Sequence, residues 1–198
     1  NTTRFSMAKP SARERLEHHR IGDRDRNLFF AIGGQRGLRV RVVGERGLGK
    51  SALLARLHAQ AEAPGNVSIA CPGNDFPSLL ARLGTAVGLP EDAPGDAVRD
   101  ALVRRDPPLV TVDDCQRLVR PAIGGLDALA RLVELARALP TRTTWVLALE
   151  SPAWHFLSRA RAPQPMFDRV FTLGAWTEPR IAELLSARTA VAGLSPRF

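Results

Sequence analysis

Eight residues, Gly44-Glu45-Arg46-Gly47-Leu48-Gly49-Lys50-Ser51, constrain this chain more than any other stretch. They fit the spacing G-x-x-x-x-G-K-[ST]. The apolar run Leu38–Val43 precedes them, and Leu53, Leu54 and Leu57 follow at helical spacing. A strand must therefore turn almost at once into a helix. Gly44, Gly47 and Gly49 let the backbone curl until successive N–H groups face inward, forming a nest that favours anions. The helix opening at Lys50 adds its positive end. Such a cradle suits phosphate. The run Gly44, Glu45, Arg46, Gly47, Leu48, Gly49, Lys50, Ser51 and Ala52 supplies it. Lys50 is placed to reach the outer phosphates as a point charge, and Ser51 offers a hydroxyl to Mg²⁺. A chance match in a Gly-rich turn would lack the flanking strand and helix.

Four further apolar runs alternate with helical patterns: Val67–Cys71, Leu109–Val112, Thr144–Leu149 and Val170–Leu173. Leu79, Leu80, Leu83 and Val87 form one helical stripe, with Pro77 near its start and Gly88 at its stop. Leu126, Leu129, Leu132, Val133 and Leu139 form another. Ile181, Leu184 and Leu185 mark a helix after Thr177. This alternation predicts an α/β fold whose parallel sheet is covered by helices on both faces. The stretches 89–96 and 159–165 read as loops. Arg39 and Arg41 disagree with the pattern. They alternate with Leu38, Val40 and Val42, where a central strand should not carry arginines, and they are expected at the strand's mouth or on a wetted face. Near the start, Ser11 and Glu14 fit a capping box. Asp23 is placed to cap a helix through Leu28, Phe29 and Ile32 that Gly33-Gly34 would end.

Charge divides the chain. Its formal net charge is +8, and residues 1–60 carry all of it, with 13 Lys+Arg against 5 Asp+Glu. Residues 61–198 hold 15 of each. Only Lys9 and Lys50 are lysines, so a lysine in the loop stands out. The organisation expected is a basic N-terminal arm, residues 1–20, and a core domain, residues 21–198. A basic first third is compatible with DNA, and less so with an anionic lipid surface, although a charge run is usually a solvated face. No run is long and apolar enough for a membrane span. Cys71 and Cys115 make no metal clip or disulfide framework and read as reduced residues of a cytoplasmic protein. The four histidines lack metal-ligand spacing, and no hydrolytic triad is apparent. Beginning at Asn1 without Met or a leader run, the chain reads as an excised piece.

A second element is Leu109-Val110-Thr111-Val112-Asp113-Asp114, a buried-type strand ending in two carboxylates. Ligands bind such sheets at the carboxyl ends of the strands. Asp113 is expected to hold the Mg²⁺ shell and Asp114 to polarise an attacking water. With the loop, this resembles the AAA+/STAND branch of P-loop ATPases over roughly residues 19–190. The resemblance implies a P-loop NTPase three-layer sandwich with a five-stranded, mainly parallel sheet. It implies ATP and Mg²⁺ as ligands. Ile21-Gly22-Asp23-Arg24 resembles the family's adenine-side box with one extra residue, so Ile21 and Gly22 would line the base pocket. The family ends its fourth strand in a polar sensor, for which Ser151 is preferred over Glu150, since a carboxylate would repel a γ-phosphate. Phe167-Asp168-Arg169, then Trp176, resembles the passage where the family places its arginine finger. Arg169 is the candidate, with Arg159 and Arg161 behind it. Trp145, Trp154 and Trp176 read as core anchors.

The leading reading is an ATP-binding, ATP-hydrolysing module that acts as an oligomerising motor or a nucleotide-dependent switch for a protein partner. Asp114 is one methylene shorter than the usual glutamate, and the chain stops where the family's helical lid would begin. Both favour an alternative, a switch module with negligible turnover. A third reading is the ATPase of a DNA transaction such as transposition or replication initiation. A small-molecule kinase would need an acceptor pocket and an arginine-bearing lid, of which there is no signature. The Asn/Thr-Lys-x-Asp run of GTP sites is absent.

Overall fold

Strand β4, Thr144–Glu150, is the spine of the sheet, buried at every position but its last. Its sequence Thr-Trp-Val-Leu-Ala-Leu-Glu is apolar on both faces, as a central parallel strand requires. The structure, a computed structural model, describes residues 37–191 except 62, 64, 140–141 and 161–166. The expected arm at 1–20, the helix capped by Asp23, and Ile21, Gly22 and Arg161 lie outside the described residues. Among the described residues, those up to Gly174 belong to one compact unit and those from Ala175 on to another.

In the larger unit, β1 (Arg39–Gly44) leads through the glycine loop into helix α1 (Lys50–Gln60). Then follow β2 (Val67–Ala70), α2 (Phe76–Ala86) and α3 (Gly95–Arg105). Strand β3 (Leu109–Asp113) runs into a short 3-10 helix, Cys115–Leu118, and α4 (Asp127–Ala138). After β4 come α5 (Ser151–Ala160) and the edge strand β5 (Arg169–Leu173). The smaller unit contributes α6 (Glu178–Val191). Among the described residues no helix is long and apolar enough to cross a membrane.

The sheet order is β2-β3-β4-β1-β5, and every pairing is parallel. Alternating side chains divide the core into two layers. Trp145, Leu147 and Leu149 of β4 join Leu79, Leu83, Leu102, Leu129, Leu132 and Leu157 on the face of α2 to α5. Val146 and Ala148 join Val40, Val42, Leu53, Leu54 and Leu57 on the α1 face. The result is the expected three-layer sandwich. Each fully buried aliphatic side chain favours it by about 1.5–3 kcal/mol before entropy is counted.

Two helices were not legible as such in the sequence. Helix α3 carries only Val98, Ala101 and Leu102 inward among eleven residues, too thin a stripe to stand out. Helix α5 begins directly where β4 ends, so its period is hidden by the strand before it. The loop expected at 159–165 is corrected at Arg159 and Ala160, which are the last residues of α5. Pro152 in the first turn was the available signal. Helix α2 starts as a capped helix should. Asp75 accepts hydrogen bonds from the Ser78 N–H and hydroxyl at 2.8 and 2.9 Å, which also holds its carboxyl below the usual range.

The β1 arginines also have their explanation here. Val40 and Val42 face α1, so Arg39 and Arg41 face the opposite layer. Neither lies open in water. Arg39 is paired with Asp168, and the Arg41 guanidinium lies over the Trp154 ring, 3.0 Å from its centroid. Trp145 is fully buried, whereas Trp154 is partly buried against the core beneath Arg41.

Candidate nucleotide-binding site

The chain reverses direction across the sheet at one place. From β1 it leaves toward β2, and from β4 it crosses to β5 on the other side of β1. The crevice at the carboxyl ends of β1 and β4 is therefore the topological switch point, where open α/β sheets bind ligands. The glycine loop occupies it. Gly44 pairs with Glu150 across that crevice.

The loop has the backbone that its glycines were expected to provide. Gly47 has φ 83° and Gly49 has φ 90°, both left-handed conformations that a Cβ would strain. Gly44 is small for a different reason. A Cβ there would lie 3.0 Å from the Cβ of Leu173 on β5. The cradle thus needs glycine once for packing and twice for the turn. Helix α1 opens with Gly49 in the cap position and no side-chain cap, so its first N–H groups are available to a ligand. Lys50 is the buried cation of the loop, 8% exposed. Its Nζ donates to the carbonyls of Gly44 at 2.8 Å and Glu45 at 2.9 Å. The ammonium is held at the mouth by the loop itself. Glu45, Arg46 and Gly47 are exposed, as are Ser51 and Ala52.

Strand β4 lies between β1 and β3, so the Asp pair stands two strand spacings, about 10 Å, from the loop strand. Asp113 ends β3 half-buried, and one of its carboxylate oxygens accepts the Asp114 N–H at 2.8 Å. Asp114 takes a left-handed backbone, φ 55°, and turns the chain into the 3-10 helix. Its carboxylate accepts from the Gln116 amide at 2.8 Å and lies 3.7 Å from Arg117. The sequence reading missed Gln116, the side chain that orients Asp114. Its position two residues after the pair, on a single turn, was the only available signal.

Directly behind the pair are the two cysteines, both free and buried. The Cys115 thiol donates to the Val112 carbonyl at 3.3 Å, and the Cys71 N–H bonds the Asp113 carbonyl at 3.0 Å. Burial pushes the Cys115 thiol well up, and the neighbouring Cys71, Asp113 and Asp114 push it further. Cys115 is therefore a neutral packing residue rather than a nucleophile.

Ser151 opens α5 one residue past Glu150, so both sensor candidates stand at the switch point, with Glu150 directly beside Gly44. Arg169 is elsewhere. It is exposed and in register with Val40, four residues below Gly44, which is about 13 Å along the strand. The structure therefore gathers Lys50, Ser51, Asp113, Asp114 and Ser151 at one edge of the sheet and leaves Arg169 at the other. Arg159, at the last turn of α5, is also exposed.

Residues 36–157, more than half of the chain, match the family model described as AAA domain. No curated protein sequence matches. Among solved structures, the Walker-type ATPase PABY2304 of Pyrococcus abyssi superposes with a TM-score of 0.60 at 17% identity, over 88% of this chain and 59% of its own. The ORC1 protein of Aeropyrum pernix, solved in complex with DNA, gives 0.59 at 20% identity, over 93% and 50%. Cdc6p of Pyrobaculum aerophilum gives 0.60 at 19% identity, over 96% and 52%. At these identities the likeness is one of fold. The chain spans between half and three fifths of the length of these structures.

Proposed function

The chain belongs to the AAA domain family, and from that premise we propose that it binds ATP with Mg²⁺ and hydrolyses it slowly, as an oligomerising motor or nucleotide-dependent switch. The observation that carries this reading is the glycine loop at the switch point, with the buried Lys50 ammonium held at its mouth. The donor set fits a polyphosphate: inward backbone N–H groups, a helix N-terminus and one cation. Gly44 to Ala52 would hold the phosphates, with Lys50 on the outermost. Ser51 and Asp113 would hold the metal, both being hard oxygen donors. Ile21 and Gly22 would line the base side, and Ser151 would sense the terminal phosphate. Bound Mg²⁺–ATP would supply the phosphoryl group and a divalent charge.

Asp114 would take a proton from water through its carboxylate, and the Gln116 amide bonded to that carboxylate supports this by fixing which way it faces. Asp114 is one methylene shorter than the glutamate usual in the family, which supports slow turnover. Arg169, at the edge remote from its own loop, fits a residue supplied to the site of a neighbouring copy. Two buried free thiols suit a reducing compartment, the cytoplasm. The basic first third and the DNA complex of the Aeropyrum pernix ORC1 protein support a reading in which the residues 1–20 arm meets DNA beside a core of 21–198.

Phosphate release from Mg²⁺–ATP across a wide protein-concentration series tests the proposal, with Asp114→Ala as control. Specific activity is expected to climb with concentration as copies complete each other's sites. ATP bound with no release above the control at any concentration would leave a nucleotide-binding switch without turnover. Failure to bind ATP at all would end the reading.

A further inference from the structure

Both arginines of β1 hold the short segment that leads into Arg169. Arg39 grips Asp168 with three donors: its backbone N–H to Oδ2 at 2.8 Å, Nε to Oδ2 at 3.0 Å and Nη2 to Oδ1 at 2.9 Å. The Asp168 N–H returns a bond to the Arg39 carbonyl at 2.8 Å. Four hydrogen bonds thus join one residue pair, two of them in the two-pronged geometry that arginine alone provides. Two residues on, the Arg41 guanidinium lies between two rings, 3.0 Å from the Trp154 centroid and 5.5 Å from that of Phe167. Trp154 belongs to α5, the helix that opens at Ser151 beside the glycine loop. Burial lowers the Arg41 pKa to about 10, so it remains a cation at neutral pH and keeps its attraction for the rings. Arg137, in the last turn of α4, adds positive charge near Asp168.

This is more fixing than a sheet edge needs. The edge strand β5 is exposed or half-buried along its whole length, and its own core contacts are made further along it, by Phe171 and Leu173. Yet the residues just before it are anchored by a fork, a ring stack and backbone bonds, all from β1, the strand that also carries the loop. We infer that Arg39, Asp168 and Arg41 are positioning residues that fix the entrance of β5, so that Arg169 is presented in one orientation toward the site of a neighbouring copy. This rests on the reading of Arg169 in the proposed function. A rigid base matters because a transition-state contact is sensitive to displacement, and an error near 1 Å can cost about a hundredfold in rate.

The test is a double-mutant cycle on the full chain, reading steady-state kcat, ATP affinity and thermal stability. Asp168→Asn keeps the shape of the side chain and removes its charge. It is expected to lower kcat by about tenfold or more with ATP affinity within about twofold of wild type. Arg39→Lys, which keeps the charge but loses the fork, is expected to fall between. Combined with Arg169→Ala, Asp168→Asn should slow the enzyme no further than Arg169→Ala alone, because both changes remove one contact. A wild-type kcat in Asp168→Asn, or losses that multiply in the double variant, would overturn the positioning role while leaving Arg169 in place. No measurable turnover in wild type, or a wild-type rate in Arg169→Ala, would overturn the reading of Arg169 and the positioning role with it.

Discussion

The two ends of β1 are built on opposite plans. At its carboxyl end Val42, Val43 and Gly44 are buried, and the Gly44 carbonyl accepts from Lys50, six residues away. At its amino end Arg39 meets Asp168, 129 residues later, and Arg41 lies between rings from two other segments. One end is made from adjacent sequence, and the other is assembled across the fold. The difference matters for chemistry as well as for folding. A local cradle can be specified by glycine spacing and one lysine. An orientation offered to another molecule must be braced from several elements at once.

The sharpest way to break this comparison is at the loop end. Lys50→Ala should abolish measurable Mg²⁺–ATP binding, on the order of 3–5 kcal/mol or more than a hundredfold, since it removes the buried cation of the site. A fluorescent-nucleotide titration checks this, and tight binding by that variant would move the cradle elsewhere. Gly49→Ala comes next. With φ at 90°, it should destabilise the chain by about 1–2 kcal/mol and weaken binding as well, read by denaturant unfolding and the same titration. At the amino end the stability effect should be smaller. The Arg39 and Asp168 side chains are 27% and 33% exposed, so Arg39→Ala should cost about 1 kcal/mol or less, a Tm shift of roughly 2–4 °C. A loss as large as that of a core leucine would mean the pair holds the fold together rather than orienting Arg169.

The smallest expected effect depends on pH. Hydrogen bonds from Arg39 hold the Asp168 carboxyl below its usual value, with burial opposing and Arg137 assisting. A carboxylate lowered in the folded state stabilises that state fully above its unfolded pKa, about 3.9. The contribution fades as pH falls below that value and through the lower folded one. The stability gap between wild type and Asp168→Asn should therefore be constant above about pH 5 and close toward pH 3. A gap that instead widened on acidification would show that the charge is not what the pair contributes.

Legibility followed sequence distance. All five strands lie within one residue of the apolar runs that mark them, β3 and β4 most plainly because a parallel strand buried on both faces must be apolar throughout. Helices α1, α2 and α4 were visible because Leu53, Leu54, Leu57, Leu79, Leu83, Leu129 and Leu132 recur at the helical period. Helix α3 was hidden by its polarity, and α5 by the strand it continues. The two arginines were recognisable in the sequence only as an anomaly. Asp168, Trp154 and Phe167, which they contact, all lie more than a hundred residues further along the chain.

The sequence by itself determined the cradle and the sheet. Glycine spacing, one lysine and five apolar runs act over a few residues, and their physics is that of the local backbone and of burial. Only the tertiary structure decided strand order, and with it where Glu150 and Ser151 stand beside Gly44, how Gln116 turns Asp114, and which edge of the sheet carries Arg169. Those are contacts between segments brought together by packing, and no local preference encodes them.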